Sequence, residues 1–211
     1  MLGARTIGAV AFAAACMIAM ALQPSSARPI PRLLTITRHP GAASEIDDRA
    51  ADHVLAAASR LLQTDDGPAR NKDGDVRCEV ALVRAGPVAT FGSSVLLDGI
   101  LGSESDFIEV CKQDGHIHVV NQILWCGDEP TESLIACTEI GKRCIVVVRP
   151  SATFTDTQEP VLWAHEYGHS RGLTHSCKGN CTSNEDDRVM HPVIVEPHVK
   201  IGARECKAYV R

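Results

Sequence analysis

A mixed α/β (α+β) domain with a mostly parallel sheet is predicted by three features of the sequence. An amphipathic helical period stands near the start, several short runs rich in Val and Ile follow, and a second helix ending at a glycine comes after them. Helix, strands and helix in that order place helices over the faces of a sheet.

Residues 28–45 are rich in Pro, Ala and Arg and hold one apolar stretch at 33–36, a first strand or part of a short leader. Ile46, Ala50, Val54, Ala57 and Leu61 then recur at helical steps, with Asp47 and Asp48 suited to the first turn. Residues 64–68, Thr-Asp-Asp-Gly-Pro, end that helix. Residues 76–83 read as a strand. Residues 107–112 and 116–123 read as two strands of a hairpin around Gln113, Asp114 and Gly115. Residues 126–142 read as a polar loop with two cysteines, and 144–148 as a strand buried on both faces. A helix over 161–172 follows a polar link, with Pro160 in its first turn and Gly172 as its stop. A short helix near 204–210 closes the chain.

The 211 residues suffice for one domain with a sizeable core. The expected division is a signal peptide over 1–27, the segment 28–45, and a catalytic domain over 46–211. Arg5 is the only charge in residues 1–27, an apolar run fills 7–22, and Ser25, Ser26 and Ala27 fit a signal peptidase site. An uncleaved anchor or a lipid-modified Cys16 are the rival readings. Export to the extracellular space or periplasm is the expectation, without stable membrane association after signal removal. The formal net charge of −5 gives no nucleic-acid footprint. Nine cysteines are present, eight of them beyond residue 27. An even count in an exported chain reads as a disulfide framework, although on the order of a hundred pairings are open.

Residues 165–175 read His-Glu-Tyr-Gly-His-Ser-Arg-Gly-Leu-Thr-His. His165 and His169 lie four apart on a helix and so project from one face, a spacing at which two imidazoles share one zinc ion. Glu166, one step round, reaches the space beside the metal and can hold a water. Gly172 can adopt the left-handed conformation that breaks the helix, and the chain then delivers His175 as third ligand. Three protein ligands leave a fourth position open, the arrangement of a catalytic rather than a structural zinc. Met190, in Val-Met-His-Pro, is the one methionine beyond residue 27.

The extended motif followed by that methionine resembles the metzincin zinc peptidases. His-Glu-x-Gly-His-Ser-x-Gly-Leu-x-His-Ser, ending here in Ser176, is similar to their matrixin branch. The resemblance is sharp over 160–192 and architectural over 46–150. It implies zinc at His165, His169 and His175, a general base at Glu166, a methionine turn at Met190, and a twisted sheet. It also implies a cleft along an antiparallel edge strand where a polypeptide substrate adds itself; that edge is expected within 116–123. Arg171 departs from the usual apolar residue, and the segment from His175 to Met190 is longer and holds Cys177 and Cys181. Pro192 stands where some members place a tyrosine ligand, and no latency motif with a zinc-blocking cysteine is found.

Weaker candidates remain. His116 and His118 share a strand face, but two ligands rarely hold zinc and a solvated pair is favoured. His191 reads as a residue behind the ligands or on the surface. Cys177 and Cys181 read as a small disulfide loop before a structural zinc site. Calcium at Asp65, Asp66, Asp73 and Asp75 does not match a calcium-loop spacing. Asn180 begins a formal glycosylation sequon. The expected function is that of a monomeric secreted zinc endopeptidase. The rivals are an exported binding module with structural zinc and a zinc amidase with a non-peptide substrate.

Overall fold

The computed structural model describes residues 28–42, 46–63, 78–92, 94–127, 129–149, 157–177, 188–192, 194 and 201–211. The signal segment, the 64–68 stop, the four calcium-candidate aspartates, Asn180 and Cys181 lie outside the described residues.

The first strand, β1 (Ile30–Leu34), runs through a break at Thr35 into β2 (Ile36–Arg38). Helix α1 (Asp48–Gln63) follows, its start held by Asp47, whose carboxylate accepts the Ala50 N–H at 2.7 Å. Its buried stripe is Ala51, Val54, Leu55, Ala58 and Leu62. Then come β3 (Val80–Arg84), β4 (Ala89–Thr90) and β5 (Ile100–Leu101), helix α2 (Glu104–Cys111), and β6 (Ile117–Val120). After these stand β7 (Gln122–Cys126), β8 (Glu129–Leu134), β9 (Ala136–Thr138) and β10 (Ile145–Val148). Helix α3 (Gln158–Ser170) carries the histidine motif, and α4 (Ala203–Val210) ends the chain.

The result is a mixed α/β fold with four α-helices among the described residues and sheets dominated by parallel pairing. The main sheet has the order β4-β2-β6-β10-β9, parallel throughout except for β9, which pairs antiparallel with β10 at one edge. β1 and β3 form a parallel pair, and β5, β7 and β8 a third sheet. β10 explains its own sequence. Ile145 and Val147 join the core under α1 and α3, whereas Val146 joins the opposite core with Phe107, Val110 and Val120. A strand buried on both faces needs an apolar residue at every position.

Two expectations about the middle of the chain are corrected. Residues 107–111 lie in α2, with Lys112 as its C-cap, and not in a strand. Ser103 caps that helix by accepting the Asp106 N–H, and Phe107 and Val110 are buried at a helical step of three. The Gln113–Gly115 stretch therefore joins a helix to a strand and is not a hairpin. Residues 116–123 hold a central strand, β6, broken from β7 at Asn121; the antiparallel edge is β9, inside what reads from sequence as a polar loop.

Three disulfides join distant pieces. Cys78–Cys206 ties the approach to β3 to α4, Cys111–Cys144 ties α2 to the start of β10, and Cys126–Cys137 ties β7 to β9. Cys177 is disulfide-bonded as well. No helix among the described residues is long and apolar enough to cross a membrane. The Cys78–Cys206 bridge closes the longest stretch, 128 residues apart. A Cys78→Ala, Cys206→Ala double variant is expected to lose about 2–5 kcal/mol of stability, because the bridge restricts the unfolded chain. Denaturant unfolding of the variant beside the parent checks this; an unchanged midpoint would contradict it.

Candidate metal centre

The 165–175 motif folds as its spacing dictates. His165 and His169 lie one turn apart on α3, and both are buried. The helix then ends in a Schellman turn. Leu173 N–H reaches Gly168 O at 3.0 Å, Gly172 N–H reaches His169 O at 2.9 Å, and Gly172 takes φ +89°. A residue with a Cβ is strained at that φ. The turn reverses the chain and delivers His175, which is exposed, so that its Nε2 lies 3.2 Å from His169 Nε2. One ligand atom from each of the three histidines falls within 4.8 Å of the others, and the group can hold a metal ion.

The ring orientations are set from behind. His165 Nδ1 donates to Val189 O at 2.8 Å, and His169 Nδ1 donates to Leu173 O at 2.8 Å. A carbonyl only accepts, so each neutral ring carries its proton on Nδ1 and keeps the Nε2 lone pair for a ligand. Burial pushes all three histidines below their ordinary range, His165 to about 3, with neighbouring His169 adding to the effect.

Glu166 is buried beside them, and its Oε2 has no hydrogen-bond partner. Burial pushes its carboxyl up to about 7, with nearby Thr138 working the other way. These residues open on a cleft of about 570 Å³, whose wall includes Ala136 and Thr138 of β9, Ile135 just before it, and Leu162 of α3. The sheet ends at β9, so one side of this strand carries no partner strand among the described residues.

Met190 lies beneath α3 and is fully buried. Its segment turns tightly, His191 N–H bonding Arg188 O at 3.0 Å, and is tied to the third histidine's segment by Ser176 N–H to Met190 O at 2.8 Å. Tyr209 of α4 donates to Ala164 O at 3.1 Å and lies 3.4 Å from Met190 Sδ. Gly168 makes room for this arrangement, because a Cβ there would stand 2.4 Å from Met190 Sδ and 2.7 Å from the Tyr209 hydroxyl. Alanine in a helix interior normally gains about 1 kcal/mol over glycine. Here the overlap costs more, and Gly168→Ala is expected to destabilise by about 1–2 kcal/mol net. A denaturant midpoint raised by Gly168→Ala would refute that packing.

The structure gathers His165, Glu166, His169, His175, Gly172 and Met190 into one region. It also corrects the reading of His118 on β6 and His116 just before it. His118 is fully buried, bonded through Nδ1 to Thr37 Oγ1 at 2.7 Å, and His116 bonds Thr35 Oγ1 at 2.8 Å; they are not a solvated pair. Among the described residues only the 165/169/175 group has the proximity of a metal site. His191 is fully buried, not on the surface. Tyr209, Thr138 and the packing role of Gly168 are not apparent from sequence. A three-residue strand such as β9 is too short to show alternation, and the Tyr209 contact spans 45 positions.

No protein-family model matches the chain, and no curated protein matches it. Among solved structures, one described as "Structure of a chaperone-substrate complex" aligns at a TM-score of 0.47 and 11% identity, covering 86% of this chain and 33% of that chain. The chain thus spans about a third of that neighbour, and a likeness this distant carries no argument about function.

Proposed function

We propose that this chain is a secreted zinc endopeptidase, using His165, His169 and His175 as metal ligands and Glu166 as general base. One observation carries the reading: three converging imidazoles, two with their protons fixed away from the shared centre, stand beside a buried carboxylate oxygen that has no partner.

The donor set fits zinc. Two nitrogens sharing a tetrahedral zinc at about 2.0–2.1 Å stand about 3.3 Å apart; His169 and His175 Nε2 are already at 3.2 Å, and the three ligand atoms, within 4.8 Å of one another, would draw together on binding. Three protein ligands are the number found in catalytic zinc sites. When bound, zinc would polarise the scissile carbonyl and acidify a water molecule. The chain supplies the rest. Glu166 Oε2 takes the proton of the attacking water and passes it to the leaving amine. The Val189 and Leu173 carbonyls hold two of the rings in register. Met190 on its tight turn, clamped by Tyr209, supports α3 from below.

The open β9 edge favours an extended polypeptide, since a peptide can add its backbone to such an edge. The disulfides support export. The test is cleavage of a mixed peptide library, with products read by mass spectrometry and a chelator-treated control. Internal peptide bonds cut only without chelator are expected. Hydrolysis confined to non-peptide amides would replace this reading with the amidase, and no hydrolysis at all would favour a zinc-bearing binding module.

A further inference from the structure

A second concavity lies behind the metal-site helix. It encloses about 220 Å³ and is lined by Arg32 of β1, Arg143 before β10, and Arg171 at the end of α3, together with His116 and Tyr167. No carboxylate among the described residues lines it. No ion pair or side-chain hydrogen bond joins any of the three arginines to another described residue. The Nε atoms of Arg32 and Arg171 are buried without a partner.

Three guanidiniums converging without a counter-charge repel one another, and burying a donor without an acceptor costs free energy. All three arginines line this one concavity, and Tyr167 lines it with them. His116 adds a donor. Its Nδ1 accepts the Thr35 N–H at 3.2 Å, so the neutral ring carries its proton on Nε2.

We infer that this pocket binds a small, multiply charged oxyanion of the phosphate or sulfate type, between Arg32, Arg143 and Arg171. Guanidinium forks match such oxyanions in geometry as well as charge, and a multiply charged guest offsets three cations where one carboxylate would leave two. The site is separate from the metal centre. It shares α3 with it, because Tyr167 and Arg171 flank His169 in sequence while lining the rear pocket. It does not depend on the peptidase reading.

The test is calorimetric titration of the purified protein with inorganic phosphate, at ionic strength held constant with sodium chloride. One saturable site is expected. Arg171→Gln and Arg143→Gln should each weaken it about tenfold or more, since each removes a charge-assisted contact. Arg143 is exposed, so its substitution leaves the core intact and guards against misfolding of the Arg171 variant. The parent freed of metal by chelator and dialysis should bind phosphate as tightly as the untreated parent, which separates this pocket from phosphate captured by a metal ion. Phosphoserine, titrated in parallel, distinguishes the sources: tighter binding identifies an esterified phosphate, and equal or weaker binding the free ion. No saturable binding to the parent, affinity equal to the parent's in both arginine variants, or loss of binding in the metal-free parent would each overturn the proposal.

Discussion

Glu166→Ala is expected to lower peptide hydrolysis about 100- to 10,000-fold, toward the upper end, because one carboxylate both takes and returns the proton. Metal content should not change, since Glu166 is not among the three converging donors. The fold should not suffer either. Glu166 is buried with an oxygen that has no partner, so removing it relieves an unfavourable burial. A melting temperature equal to or above that of the parent is therefore expected alongside the loss of activity. Glu166→Gln should be nearly as inactive, since an amide keeps the shape but cannot accept the proton. Activity within a few-fold of the parent in either variant would remove Glu166 from the chemistry.

The second large effect concerns the ligands. His169→Ala removes the ring that lies nearest both partners, with centroids 4.5 Å from His165 and 4.8 Å from His175. It also removes the donor that fastens the Leu173 carbonyl. Zinc content should fall from about one equivalent to near zero, since two remaining imidazoles seldom hold the ion. Stability should become insensitive to chelator. In the parent, zinc at about a thousand times its dissociation constant would add about 4 kcal/mol, so chelation should lower the melting temperature. Undiminished zinc in His169→Ala, measured by elemental analysis after dialysis, would overturn the ligand assignment.

The candidate site is legible in the sequence because its main parts are local. His165, Glu166 and His169 sit within two turns of one helix, and Gly172 announces the reversal that places His175. Helical geometry alone nearly determines that arrangement. The supporting parts are not local. Tyr209 reaches Ala164 across 45 positions, and the steric demand for Gly168 arises only when α4 and the Met190 segment pack together. The fold divides in the same way. α1 and β10 are readable because helical period and a continuous β-branched run leave strong marks. α2 is mistaken for a strand because Phe107, Ile108 and Val110 favour strands in isolation. The Ser103 cap and a buried face outweigh that preference. The edge strand is misplaced because β9, only Ala, Cys and Thr, is too short to mark itself, and its place at the edge is set by its neighbours.

The central claim is that one metal centre, with Glu166 beside it, cuts peptide bonds. Its most direct test is cleavage of an internally quenched peptide by parent and Glu166→Gln proteins, each loaded with one zinc equivalent and assayed for metal in the same sample. The expected result is cleavage by the parent alone, abolished by chelator and restored by zinc, with equal zinc in both proteins. Cleavage at equal rates by both, or none by a fully loaded parent across a diverse peptide set, would contradict the account.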